Sequence, residues 1–323
     1  MENPKVIICD CDHADVNEED KVFAAAKISY KWLKCTTQQE VIEQCQGAVA
    51  LLNQYLRMDE VVFRNIPTLK MVARYGVGVD TVNLEHAAKY GIQVTNVPDY
   101  GINEVADHSL ALMLSIVRKV NLLSRRVREG VWDYSEAVPI MRLANSTIGV
   151  IGLGRIGSAF AHRARALGSK IIGYDSALGK PGFLLPDFIQ PKSSVEELLQ
   201  QADIVLLSCI LDESNKNLMN KERFSMMKDG AFLINTSRGG LIDEIALEAA
   251  IKSGKLAAAA LDVTAKEPIP KNHPLLSLEN VIITPHVAWN SVEAAKEMKR
   301  KPAEDVVNFL SGRPVRYPVN RLP

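Results

Sequence analysis

No stretch of the chain approaches the ~18 consecutive apolar residues that a membrane helix needs, so no membrane span is expected. The first ten residues, MENPKVIICD, lack the basic start and apolar run of a secretory signal. An excess of one charge is missing as well. Lys and Arg number 38 and Asp and Glu number 38, and without a basic surplus nucleic acid is not an expected partner. The five cysteines are Cys9, Cys11, Cys35, Cys45 and Cys209, with no Cys-x-x-Cys spacing. An odd number without that spacing fits neither a disulfide framework nor a zinc site. Reduced thiols, no metal and a cytoplasmic location are therefore expected. Internal repeats of solenoid length and low-complexity tracts are also absent. What is present is ordinary globular composition: 323 residues, 47% hydrophobic. That length suggests two domains with cores large enough to need no staple.

Short β-rich runs alternate with helical patterns. The first third has candidate strands at Val6–Cys9, Ala48–Leu52, Met71–Arg74 and Gln93–Val97. Helical patterns lie between them at Glu18–Lys27, Gln38–Gln46, Asp59–Asn65 and Leu84–Tyr90. This order predicts βαβ units in a parallel sheet. Ile148–Ile151 and Ile204–Leu207 are apolar at successive positions, as in strands covered on both faces. Asn103–Glu129 has no Gly or Pro and reads as one long helix separating the first array from a second, Thr147–His286. A last helix, Ser291–Leu310, contains Pro302, which should kink or restart it near Lys301.

The run TIGVIGLGRIG (147–157) is an apolar strand, a G-x-G-x-x-G turn and a helix start. Gly152 permits the tight turn, Gly154 lets the backbone approach a pyrophosphate, and Gly157 lets the helix pack on the strand. The next strand, Lys170–Tyr174, ends in Asp175, an acid suited to ribose hydroxyls and repulsive to a 2′-phosphate. The pattern predicts NAD rather than NADP. The competing reading is a glycine turn in some other α/β protein with an incidental acid.

Three segments that follow apolar strands carry chemistry: Asn235–Gly240, Asp262–Pro268 and Thr284–Trp289. Redox conversion of a 2-keto acid needs a carboxylate clamp, a proton carrier and a partner that orients the carrier. Arg, His and a carboxylate suit these tasks, and Arg238, His286 and Glu267 supply one of each. Taken singly, Arg238 also reads as a surface ion pair, Glu267 as a solvated acid and His286 as a loop histidine.

GLGRIG (152–157), NTSRGGLIDEIAL (235–247), AAALDVTAKEP (258–268) and TPHVAW (284–289) resemble the D-isomer-specific 2-hydroxyacid dehydrogenases. RYGVGVDTV (74–82) and NVPDYGINEVADHSLALML (96–114) extend the likeness over nearly the whole chain. Arg74 and Trp289 are similar to the branch containing the C-terminal-binding proteins. The resemblance implies two doubly wound parallel-sheet domains. A Rossmann NAD-binding domain, 100–291, would be inserted into a flavodoxin-like substrate domain, 1–99 with 292–323. It also implies roles. Arg238 would hold the substrate carboxylate, His286 would be the acid/base, and Glu267 would pair with it. Backbone amides of Val77 and Gly78 would meet the carboxylate, and Arg74 and Trp289 would face the substrate side chain. Gly152, Gly154, Arg155, Ile156, Gly157, Asp175, Cys209, Thr236, Ser237 and Asp262 would serve NAD. A homodimer would form through the 103–129 region.

The expected function is transfer of a hydride between NAD and C2 of a small 2-hydroxy or 2-keto acid. The alternatives are an NAD(H)-sensing corepressor-like scaffold and a 3-phosphoglycerate dehydrogenase. The basic run at Arg118, Lys119, Arg125, Arg126 and Arg128 reads as a solvated or dimer-contacting face. Asp107-His108 reads as a capping or interface pair.

Overall fold

A computed structural model describes residues 5–322; Met1–Pro4 and Pro323, which the domain expectation included, lie outside the described residues. The chain divides into two compact units. One takes the chain up to Gly101 and from Ser291 on, and the other is Ile102–Asn290.

The first unit runs β1 Val6–Ile8, α1 Asn17–Ala25, β2 Tyr30–Trp32, α2 Gln38–Gln44, β3 Ala50–Asn53, α3 Glu60–Asn65, β4 Met71–Arg74, α4 Leu84–Lys89 and β5 Gln93–Thr95. Its five strands are parallel in the order β2-β1-β3-β4-β5, the flavodoxin-like winding. Successive strand residues alternate between two apolar layers. Ile7, Leu51, Val72 and Val94 meet Val41, Val62, Phe63 and Ala87 of α2, α3 and α4 on one face. At the strand ends, the buried Asp10 carboxylate accepts the amides of Gln54, Tyr55 and Leu56 and so pins the turn after β3.

The second unit runs α5 Ile102–Val117, α6 Val120–Arg128, β6 Thr147–Ile151, α7 Arg155–Arg165, β7 Lys170–Tyr174, β8 Ile189–Pro191, α8 Val195–Gln201, β9 Ile204–Leu207, α9 Lys221–Met226, β10 Ala231–Asn235, α10 Glu244–Lys252, β11 Leu256–Leu261 and β12 Val281–Ile283. Its parallel sheet has the order β12-β11-β10-β9-β6-β7-β8, a Rossmann winding with one added strand. Along β9, Val205 and Leu207 pack with Leu198, Phe224 and Leu247 on one face. Ile204 and Leu206 pack with Met113, Ile116 and Phe160 on the other. Coverage of both faces explains why these strands are apolar at every position. Each such fully buried side chain contributes about 1.5–3 kcal/mol.

The last helix, α11 Val292–Leu310, begins where the Ser291 hydroxyl accepts the Ala294 amide. It belongs to the first unit and packs on α1, β3 and β4.

Three sequence expectations are corrected. The stretch 103–129 is two helices, not one. Lys119 is left-handed, at φ 53°, and caps the end of α5 before α6 starts. That conformation is usually taken by Gly or Asn, so nothing in the sequence announced the break. Pro302 neither ends nor restarts α11, which is continuous through it. Pro302 is buried, and packing along the rest of the helix outweighs the backbone hydrogen bond that proline cannot make. Finally, β2 and β8 are three-residue edge strands that the sequence reading passed over.

Candidate active site

In the second unit the winding reverses between β6 and β9, and ligands of open parallel sheets bind outside the strand ends at such a point. The turn after β6 lies there. Gly152 has φ +95°, and a Cβ on it would stand 2.5 Å from the Cys209 amide nitrogen after β9. Only glycine allows this approach. Gly157 touches the Gly152 carbonyl in the same way. Around Gly154, in contrast, there is open space at the start of α7, with no side chain capping the helix. Arg155 is exposed and Ile156 half-buried beside it. Asp175, just past β7, accepts the Leu153 and Ala177 amides on separate oxygens, each 2.8 Å away. A carboxylate oxygen has a second lone pair, so both retain acceptor capacity. Burial pushes the Cys209 thiol up to about 11, so it is neutral at physiological pH.

The chemistry residues are set by backbone packing of neighbouring strand ends. Asn235 is fully buried; its amide donates to the Arg238 carbonyl, and its oxygen accepts the Ser237 amide, closing the loop after β10. Gly239 then lies against the loop after β11. A Cβ there would be 2.0 Å from the Thr264 carbonyl carbon. The contact brings the Arg238 loop against the Glu267 loop. Glu267 Oε1 accepts the Thr264 amide, and Oε2 lies 2.7 Å from His286 Nδ1. Burial alone would raise the Glu267 carboxyl. The His286 hydrogen bond and charge, the Thr264 amide and the Arg238 charge together hold it below the usual value. Glu267 therefore stays ionised through the neutral range, and its pairing is lost only as pH falls through that lowered value.

His286 is itself left-handed, at φ 52°. Its loop is held by Asp262, only 1% exposed. The Asp262 carbonyl accepts the His286 amide; Oδ1 accepts the Thr284 hydroxyl and the Val287 amide, and Oδ2 accepts the Ala288 amide.

Not every expected residue joins this cluster. Thr236 bonds Ser109 of α5, and the Ser237 hydroxyl donates to the Cys209 carbonyl. The Asp262 carboxylate faces the His286 loop. Trp289 is half-buried just beyond that loop. Arg74, Val77 and Gly78 belong to the first unit, at and after the end of β4. The amides of Val77 and Gly78 donate to no other group among the described residues.

Residues 110–288 match the D-isomer specific 2-hydroxyacid dehydrogenase, NAD binding domain. The chain is 35% identical to the glycerate dehydrogenase of Methylorubrum extorquens, over 96% of this chain and 97% of that one. The chain belongs to the D-isomer-specific 2-hydroxyacid dehydrogenases. It is also 38% identical to the D-3-phosphoglycerate dehydrogenase of Archaeoglobus fulgidus, over 88% of this chain but only 54% of that protein, so it spans about half the length of that relative. In structure it is similar to D-lactate dehydrogenase from Aquifex aeolicus complexed with NAD and lactic acid. The TM-score is 0.86 at 29% identity, covering 95% of this chain and 96% of that one. This dehydrogenase is thus an NAD-dependent oxidoreductase of the 2-hydroxy acid class. The comparisons do not single out the branch containing the C-terminal-binding proteins.

The dehydrogenase's own residues fit NAD. The open space at Gly154 faces uncapped amides at the start of α7, which suits a pyrophosphate. The Asp175 oxygens suit ribose hydroxyls.

Sequence reading missed the residues that brace the site: Asn235, Gly239 as a contact with Thr264, and His108. His108 and Asp107 are not a pair. Asp107 takes the Arg163 guanidinium, while His108 Nε2 lies 3.1 Å from the Thr284 hydroxyl. The basic face of α6 is tied internally, Arg125 and Arg126 meeting Glu129 and Glu279.

Gly152→Ala puts a Cβ into the Cys209 backbone at a φ that L-residues avoid. NADH affinity in a fluorescence titration should fall at least about tenfold, the equivalent of ~1.4 kcal/mol. Wild-type affinity would show that this turn is not the cofactor cradle.

Proposed function

We propose that this dehydrogenase interconverts a small 2-keto acid and its 2-hydroxy acid, with His286 as the acid/base. The observation that carries the proposal is the His286 Nδ1–Glu267 Oε2 contact of 2.7 Å, with the Arg238 charge close enough to act on the same carboxylate. Glu267 accepts the Nδ1 proton whether the ring is charged or neutral, so Nε2 is left to exchange a proton with the substrate oxygen. The Arg238 guanidinium is suited to take the substrate carboxylate in a bidentate grip. NADH, when held at the glycine turn, would supply the hydride for C2 in the reducing direction. Asp175 favours NAD over NADP, because a carboxylate repels a 2′-phosphate.

We assign substrate uptake to the first unit, where the amides of Val77 and Gly78 are donors available to a carboxylate and Arg74 and Tyr100 crowd Gly76. Trp289 is assigned to the substrate side chain. The relatives named glycerate dehydrogenase, glyoxylate reductase and hydroxypyruvate reductase make glyoxylate and hydroxypyruvate the first substrates to test. The five free cysteines, four of them buried, suit a reducing cytosol.

A homodimer through the 103–129 region, extended here to the exposed segment that follows α6, is part of the proposal. Trp132 is 90% and Tyr134 76% exposed there, with Val120, Val127 and Val138 also exposed. Apolar surface this concentrated marks an association site. Sedimentation should give twice the 35.6 kDa chain mass, and Trp132→Ala should shift it toward monomer; a wild-type monomer would refute the dimer.

His286→Ala should lower turnover of glyoxylate or hydroxypyruvate by about 10²–10⁴-fold and leave NADH binding nearly unchanged. Arg238→Ala should lower kcat/KM for the keto acid by about 10²–10³-fold. Unchanged steady-state kinetics in either variant would remove that residue from its role.

A further inference from the structure

Two adjacent residues of α5 reach two different strand-end loops of the site. Ser109 meets Thr236 after β10, and His108 meets Thr284 after β12. The proton count in the second tie is decisive. The Thr284 hydroxyl has one proton, and its oxygen lies 2.5 Å from Asp262 Oδ1. A carboxylate can only accept, so that proton points to Asp262. Thr284 Oγ1 must then accept from His108, and His108 Nε2 carries a hydrogen. The chain of donors runs in one direction, from His108 Nε2–H to Thr284 Oγ–H to Asp262 Oδ1. The same oxygen takes the Val287 amide, and its neighbour takes the Ala288 amide. His108 Nε2 is also only 3.7 Å from Asp262 Oδ1.

We propose that His108 is a positioning residue for His286, acting through Thr284 and Asp262. The inference rests on His286 being the acid/base, as proposed above. A donor feeding the Thr284 hydroxyl fixes its proton on Asp262, because aligned hydrogen bonds polarise one another. With that oxygen fixed, the carboxylate keeps its grip on the two amides that follow His286. The imidazole is then held at Glu267 although its own backbone is left-handed. Without the donor, Thr284 is free to rotate and the carboxylate loses one of its three side-chain and amide partners. His108 touches neither substrate nor cofactor in this role.

The test compares His108→Leu, which fills the space without a donor, with His108→Gln, whose Nε2 can still donate. Loss of one hydrogen bond of ~1.4 kcal/mol corresponds to about a tenfold fall in kcat. His108→Leu should show that fall with glyoxylate or hydroxypyruvate while the NADH Kd and the keto-acid KM stay nearly constant. His108→Gln should recover most of the rate. Thr284→Val should match His108→Leu, and the double variant should be no slower than Thr284→Val alone. Amide hydrogen exchange at Val287 and Ala288 should accelerate in His108→Leu and return toward wild type in His108→Gln.

Wild-type kcat and exchange in His108→Leu would overturn the proposal. So would a His108→Gln protein as slow as His108→Leu, which would make the ring a packing group. If His108→Leu does not fold, Thr284→Val with wild-type kcat and exchange overturns it equally. The exchange measurement needs no turnover. A wild-type chain that reduces no keto acid would therefore refute the proposed activity and leave the His108 test standing.

Discussion

The carboxylate of Asp262 organises this site. It sits at the end of β11, almost wholly removed from water, and would be costly there if its oxygens were unsatisfied. It is satisfied by the Thr284 hydroxyl and by the amides of Val287 and Ala288. Those donors come from the loop that carries His286, and the arrangement holds that residue in a left-handed conformation. Such backbone costs on the order of 1–3 kcal/mol and persists only where its surroundings over-determine it. The buried acid and the strained histidine therefore explain each other.

The rest of the constellation follows from strand order. Parallel strands β10, β11 and β12 lie side by side, so the loops at their C-terminal ends are neighbours. Gly239 removes the side chain that would keep the first two loops apart. Arg238, Glu267 and His286 come from three such loops. The glycine turn after β6 occupies the reversal point of the same sheet. One sheet edge thus carries both the glycine turn proposed for the nucleotide and the pair proposed to handle the proton.

Much of this was legible in the sequence because it is local. The run TIGVIGLGRIG encodes strand, turn and helix within eleven successive residues, and Gly149, Gly152 and Gly157 each stand where a side chain would collide with a neighbour. The doubly wound class was legible because buried parallel strands are apolar at every position. Contacts between distant segments were not. His108 meets Thr284 across 176 residues, and only the folded sheet brings them together. The role of Asp262 was hidden for the same reason, since its partners are mostly backbone amides and carry no residue-type signal. The break at Lys119 was invisible because the residue has no special chemistry. Pro302 misled in the opposite sense, because a local rule yielded to burial of the helix around it.

The most direct measurement is turnover of Asp262→Asn alone and combined with His286→Ala. The asparagine offers one acceptor oxygen and turns its amide group toward a backbone donor. Asp262→Asn should fall toward the rate of His286→Ala with NADH binding retained, and the double variant should be no slower than His286→Ala. A near wild-type rate for Asp262→Asn, or fully multiplicative losses in the double variant, would show that Asp262 does not act through His286.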